Sequence, residues 1–135
     1  MANIATFLET AILNHVMRNT LYTRPSVVYC GLVDSTGSDS EMEAGTLTNE
    51  ITSYTGNRPA ITFGAPADVG GKQTIKNSSD LEFLVMPAIT VKYAIVCDAA
   101  TAGNILYWCP LAASKTTNSG DTFKIAVDDL VLDLA

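Results

Sequence analysis

The chain is poor in the side chains that carry out chemistry. A single histidine, His15, serves all 135 residues, and no nucleophile or further metal ligand converges on it by spacing. Charge is sparse as well, at 16% of residues against about a quarter in an ordinary soluble domain. Fourteen acidic residues outnumber eight basic ones and leave a net charge of −6. That average field repels a nucleic-acid backbone or an anionic bilayer, so neither nucleic acid nor membrane is expected as a partner. No apolar run reaches the ~20 residues of a membrane-spanning helix. The first twenty residues interrupt their apolar pattern with Glu9, Asn14 and His15, unlike a secretory leader. Heptads are absent too, so the sequence encodes no coiled-coil shaft. Cysteine is scarce and odd in number. Cys30, Cys97 and Cys109 each fall in an apolar run, which favours buried, reduced thiols and synthesis in a reducing compartment.

What is present is apolar and patterned. Hydrophobic residues make up 47% of the chain, enough for a real core at this length, with an excess available to face a partner. Ile4, Phe7, Leu8, Ala11, Ile12 and Val16 recur at spacings of three and four, predicting one amphipathic helix over roughly residues 3 to 19. Asn3 is a candidate N-cap, Arg18 suits the carbonyl end, and Pro25 ends any continuation.

The rest reads as short strands. Along 27–33 both alternating faces are apolar, so this strand is expected at the centre of a sheet, covered on both sides. The stretch from Asp34 to Gly45 is polar, acidic and rich in turn formers and is expected as a long exposed loop. A weak strand near Thr46–Ile51, a short one at Arg58–Phe63 and a loop at Gly64–Lys72 follow. Gln73–Lys76 and Leu81–Val85 flank a four-residue polar turn and are expected to pair. Val91–Cys97 and Ile105–Cys109 form a second hairpin, and Phe123–Val127 and Leu130–Leu134 complete the series. The predicted class is mainly β, an antiparallel β-sandwich or barrel with one N-terminal helix. Residues 1–24 supply helix and connector and 25–135 the sandwich, together one domain.

No catalytic, cofactor or metal site emerges. Asp34, Asp39, Glu41 and Glu43 are hard oxygen donors, but the glycine is misplaced and the last-position Glu missing for a calcium loop. Asp128 and Asp129, adjacent along the chain, fit a turn better than a pair of acting carboxylates. A glycan hydrolase would need two carboxylates across a cleft, and no pair is marked. The candidate functional residues are therefore interface ones: Phe7, Leu8, Ile12, His15 and Val16 on the helix, and Trp108, whose neighbour Tyr107 must face the opposite side of the strand.

Several segments resemble a family of small tailed-bacteriophage virion proteins. They are Met1-Ala2-Asn3, Phe7-Leu8-Glu9, Leu13-Asn14-His15, Arg18-Asn19-Thr20, Tyr22-Thr23 and Pro25. Further along come Ile61-Thr62-Phe63-Gly64-Ala65, Asn77-Ser78, Asp98-Ala99-Ala100, Gly103-Asn104-Ile105-Leu106-Tyr107, Ser114-Lys115-Thr116 and Ser119-Gly120-Asp121. The likeness spans nearly the full length without a catalytic signature. It departs at Met86–Val91, where an aromatic-glycine step is expected and Met86-Pro87-Ala88-Ile89-Thr90-Val91 stands. The resemblance implies a non-enzymatic virion component assembled in the host cytoplasm. The leading expectation is a capsid cement or decoration protein on the outside of the head, partnered by the major capsid protein and by itself as a homotrimer. The alternative is a tail-fibre or adhesin module contacting a host receptor.

Overall fold

The structure is a computed structural model and describes residues 2–134. Its centre is an antiparallel sheet built on three strands, β2 (Val28–Asp34), β8 (Ile89–Cys97) and β9 (Ile105–Thr117). A two-residue strand, β1 (Asn3–Ile4), edges β9, while β3 (Glu50–Ile51) and β4 (Ala60–Ile61) share the far edge of β2. Two smaller antiparallel sheets accompany it. One pairs β7 (Leu81–Met86) with β10 (Asp121–Ile125). The other runs β5 (Ala67–Val69), β6 (Lys72–Lys76), β11 (Val131–Leu134). The mainly β class with an N-terminal helix is the predicted one, with open sheets and no closed barrel.

The central position of β2 follows from its two apolar faces. Strand periodicity sends Cys30 and Leu32, with Ala94 and Val96 of β8, into a first core shared with Leu81, Phe83, Met86, Phe123, Leu130 and Leu132. It sends Val33, with Tyr93, Ile95 and Cys97, into a second core on the opposite side, shared with Ile105, Trp108 and Met42. The β8–β9 hairpin is the one the sequence predicts, though β9 runs on to Thr117.

Four local expectations change. Residues 73–76 and 81–85 do not pair: β6 lies between β5 and β11, and β7 joins β10. The reason is Asn77, fully buried. Its Nδ2 donates to the carbonyls of Ser79 and Ala126, both at 2.9 Å, and its Oδ1 accepts from the Leu130 amide at 2.9 Å. The polar linker is thereby fixed as a corner between sheets instead of a hairpin turn. Within 64–72, the sequence-predicted loop, Gly70 and Gly71 take left-handed φ and fold β5 against β6. Asn3 does not cap the helix, because it pairs with Trp108 in β1. The fourth change concerns 34–45. This segment holds a helix, α2 (Asp39–Ala44), with Met42 wholly buried in the second core. Ser38 Oγ accepts from the Glu41 amide, and Gly45 ends the helix in the left-handed region at φ 79°.

Near the departure at Met86–Val91, the Pro87 carbonyl accepts from Thr117 Oγ1 at 2.7 Å and the Met86 carbonyl from the Gly120 amide at 2.8 Å. A side-chain hydroxyl and a backbone amide thus hold the carbonyls of this crossing.

Candidate functional site

The N-terminal helix, α1 (Thr6–Met17), has no glycine or proline in its interior, and its first turn begins at Ala5 without a side-chain cap. It is tied down at its start, where Ala5 is buried in the second core and donates its amide to the Leu106 carbonyl at 2.9 Å. Thr6 Oγ1 donates to Glu43 Oε1 of α2 at 3.1 Å. At its far end Asn19 adopts φ 54° and turns the chain back. The Thr20 amide donates to the Asn14 carbonyl, and the Tyr22 amide donates to His15 Nδ1 at 3.1 Å. Tyr22 then stacks edge-on against Phe7, 6.2 Å between centroids. Helix and connector enclose a shallow groove of about 400 Å³.

Among the described residues of α1 none is buried. Leu8, Ala11 and Ile12 are half-buried on the body of the domain, so only part of the predicted apolar face is used. Phe7 remains 39% exposed, Leu13 59%, Val16 62% and Met17 75%, and Leu21 of the connector 79%. Contiguous exposure of large apolar side chains on one element marks an interaction surface. Of the predicted interface residues, the structure brings Phe7 and Val16 to this surface, turns Leu8 and Ile12 inward, and leaves His15 exposed at the turn. Trp108 lies apart from them, 7% exposed, edge-on to Tyr93 at 5.9 Å. Its Nε1 donates to Glu43 Oε2 at 2.8 Å.

The acidic segment 34–45 is wired inward. Tyr93 donates its hydroxyl to Asp39, and burial followed by this bond raises the phenol from 10 to about 12. Glu43 receives Trp108 and Thr6, Glu41 Oε2 receives Asn49 Nδ2 at 3.1 Å, and Asp34 Oδ1 receives the Thr36 amide at 2.8 Å. All four carboxylates thus accept from protein donors, and no group of three or more His, Cys, Asp or Glu among the described residues is placed to hold a metal. Asp128 and Asp129 do lie in the turn joining β10 to β11. Cys30 and Cys97 are buried free thiols and Cys109 a half-buried one. Burial pushes Cys30 well above the ordinary thiol range and Cys97 to about 12, so neither is a ready nucleophile.

One cluster has little sequence signal. Arg58, 4% exposed, meets Glu50 in a two-point ion pair, Nε to Oε2 at 2.6 Å and Nη2 to Oε1 at 2.7 Å. Its Nη1 donates to the carbonyls of Ala99 and Ala102 at 2.7 and 2.8 Å, fastening the loop after β8. Gly31 leaves room for this pair, since a Cβ there would stand 2.9 Å from Glu50 Oε2. Arg58 stands in the irregular stretch before β4, and its partner Glu50, eight residues earlier, lies on β3.

The carboxylates of 34–45 are thus engaged, Cys30 and Cys97 lie buried, and the apolar surface of α1 is open. Residues 3–133 match the family described as Podophage GP4 fiber I protein gp80, and the chain belongs to that family. It is a phage structural protein of a fibre-like virion family. No curated protein matches the chain.

Proposed function

We propose that the protein is a non-enzymatic component of the phage tail-fibre apparatus that contributes to contact with a host receptor. The observation that carries this reading is the family match over residues 3–133, whose description names a fibre protein. The inward-wired acidic segment and the raised thiols support a role in binding over turnover. The decisive experiment is genetic and structural together: particles lacking the protein should keep their shell stability and lose adsorption to cells, and cryo-electron microscopy should place its density on the tail. Normal adsorption with heads that rupture at lower temperature would overturn it in favour of the cement reading.

That second reading, a cement protein on the major capsid protein, keeps one specific observation. The longest helix among the described residues has twelve residues, about 18 Å, and the sheets are layered, so the described residues form a compact plug and no shaft. Density on the head surface would establish it.

A further inference from the structure

We propose that copies of this chain associate head to tail, the α1 surface of one copy seating on the β10–β11 turn of the next. The apolar helix surface of Leu13, Val16, Met17 and Leu21 ends in Arg18 and Arg24, both exposed, with Glu9 the only acidic residue in residues 6–27. The Arg18 guanidinium donates to the Asn14 side chain at 3.0 Å and, among the described residues, forms no ion pair. Asp98, near enough to act on Tyr22, is taken up by the Asn104 amide and side chain, which leaves the two arginines as the rim's exposed charges in a chain of net charge −6.

The turn after β10 has the complementary character. Val127, 44% exposed, and Val131, 38% exposed, flank Asp128 and Asp129, both exposed, with no basic residue between them. The nearest cation along the chain, Lys124, is engaged with Asp80 at 3.1 Å; Lys76, opposite Val131 in register, shares a surface pocket with Asp128 and leaves Asp129 the turn's surplus negative charge. Leu130, at the base of the turn, is buried in the first core, whereas α1 begins from Ala5 in the second. The two surfaces therefore belong to opposite sides of the central sheet and cannot satisfy each other within one copy. Two different surfaces that fit one another across copies make a heterologous contact, which closes into a ring or continues as a filament. Opposite charge at the rim fixes the orientation, and the apolar side chains supply the burial.

The inference concerns copy-to-copy contact and stands whether the protein sits on tail or head. Its test is light scattering on the isolated full chain at micromolar concentration. Wild type should exceed monomer mass, and raised salt should weaken the assembly. The Arg18→Glu, Arg24→Glu variant should dissociate at a concentration at least about tenfold higher. So should Asp128→Asn, Asp129→Lys, in which Asn is chosen because position 128 has φ 69° and tolerates it. An equal mixture of the two variants should regain heteromeric assembly, since each then presents the charge the other lacks. Circular dichroism melts of these surface variants establish that each is folded. A monomeric wild type, a response to the arginine changes alone, or failure of the mixture to assemble would each overturn the proposal.

Discussion

The two faces of the central sheet are closed by different means. On the first, strands cover strands: Phe83 of β7 stands edge-on to Tyr54 at 5.0 Å and to Phe123 of β10 at 6.1 Å, and Leu130 and Leu132 fill beside them. On the second, a six-residue helix and loops do the covering, held by polar hooks: Tyr93 to Asp39, Trp108 to Glu43, and Arg58 to Glu50 and two carbonyls. The first face is stabilised by non-directional apolar burial and tolerates local shifts. The second depends on bonds with defined geometry, each costly to break because its partner stays behind. It is also the face on which α1 is anchored, so the exposed apolar helix surface sits over the more directional core.

The largest loss of stability is expected at Phe83. Phe83→Ala should cost about 3–5 kcal/mol, the usual cost for a buried aromatic, seen as a lower urea midpoint with one cooperative transition. A loss under about 1 kcal/mol would mean that the strand-covered face is not the principal core. On the other face, Arg58→Leu should cost about 3 kcal/mol or more, because Glu50 is left charged and buried. Adding Glu50→Leu should recover part of that loss. A double variant no better than the single would show that the pair acts mainly by fastening the 98–104 loop.

Alkaline titration sharpens the contrast, since each face carries one phenol held near 12. Tyr54 is raised by burial first and then by Glu50, Tyr93 by burial first and then by its bond to Asp39. Both bind their protons more tightly folded than unfolded, so their stabilisation is complete below pH 10 and is lost as pH climbs toward 12. Tyr54→Phe should move the alkaline unfolding midpoint upward with little change at neutral pH. Tyr93→Phe removes a donor to a carboxylate and should cost about 1–2 kcal/mol at neutral pH as well. Equal neutral-pH stabilities of the two variants would contradict the hook role of Tyr93.

The first face was legible in the sequence because alternation is a local signal: Cys30, Leu32, Ala94 and Val96 announce it two residues at a time. The N-terminal helix and the β8–β9 hairpin were legible for the same reason. Val33, Tyr93, Ile95 and Cys97 of the second face alternate in the same way, but its cover was not legible, because that cover is polar by composition. Asp39, Glu41 and Glu43 read as a solvated loop, yet each carboxylate is spent on a partner from α1, β8, β9 or the loop before β3. One cue was available. Ser38 followed three residues later by Glu41, with Gly45 beyond, is a helix start and stop, and Met42 is its single apolar residue with a core to fill. Asn77 was illegible in a stronger sense, since Ala126 and Leu130 lie about fifty residues away, and so were the two carbonyls that Arg58 holds, about forty residues away.

The smallest effect tests whether the helical cover is itself a cooperative part of the fold. Ser38 Oγ accepts from the Glu41 amide at 3.3 Å and donates to Glu41 Oε1 at 3.0 Å, so Ser38→Ala removes a reciprocal cap. The expected cost is about 1 kcal/mol. Six residues cannot hold a helix by propensity, so the loss should fall on α2 and on what it fastens. Amide exchange should quicken at 39–45, Met42 should become oxidisable, and Trp108 emission should shift as Glu43 loosens. Amides of β7 and β10, which Ser38 does not touch, should exchange at the rate set by global unfolding. If exchange instead rises uniformly across both faces, α2 unfolds only with the whole domain, and the two faces share one cooperative transition.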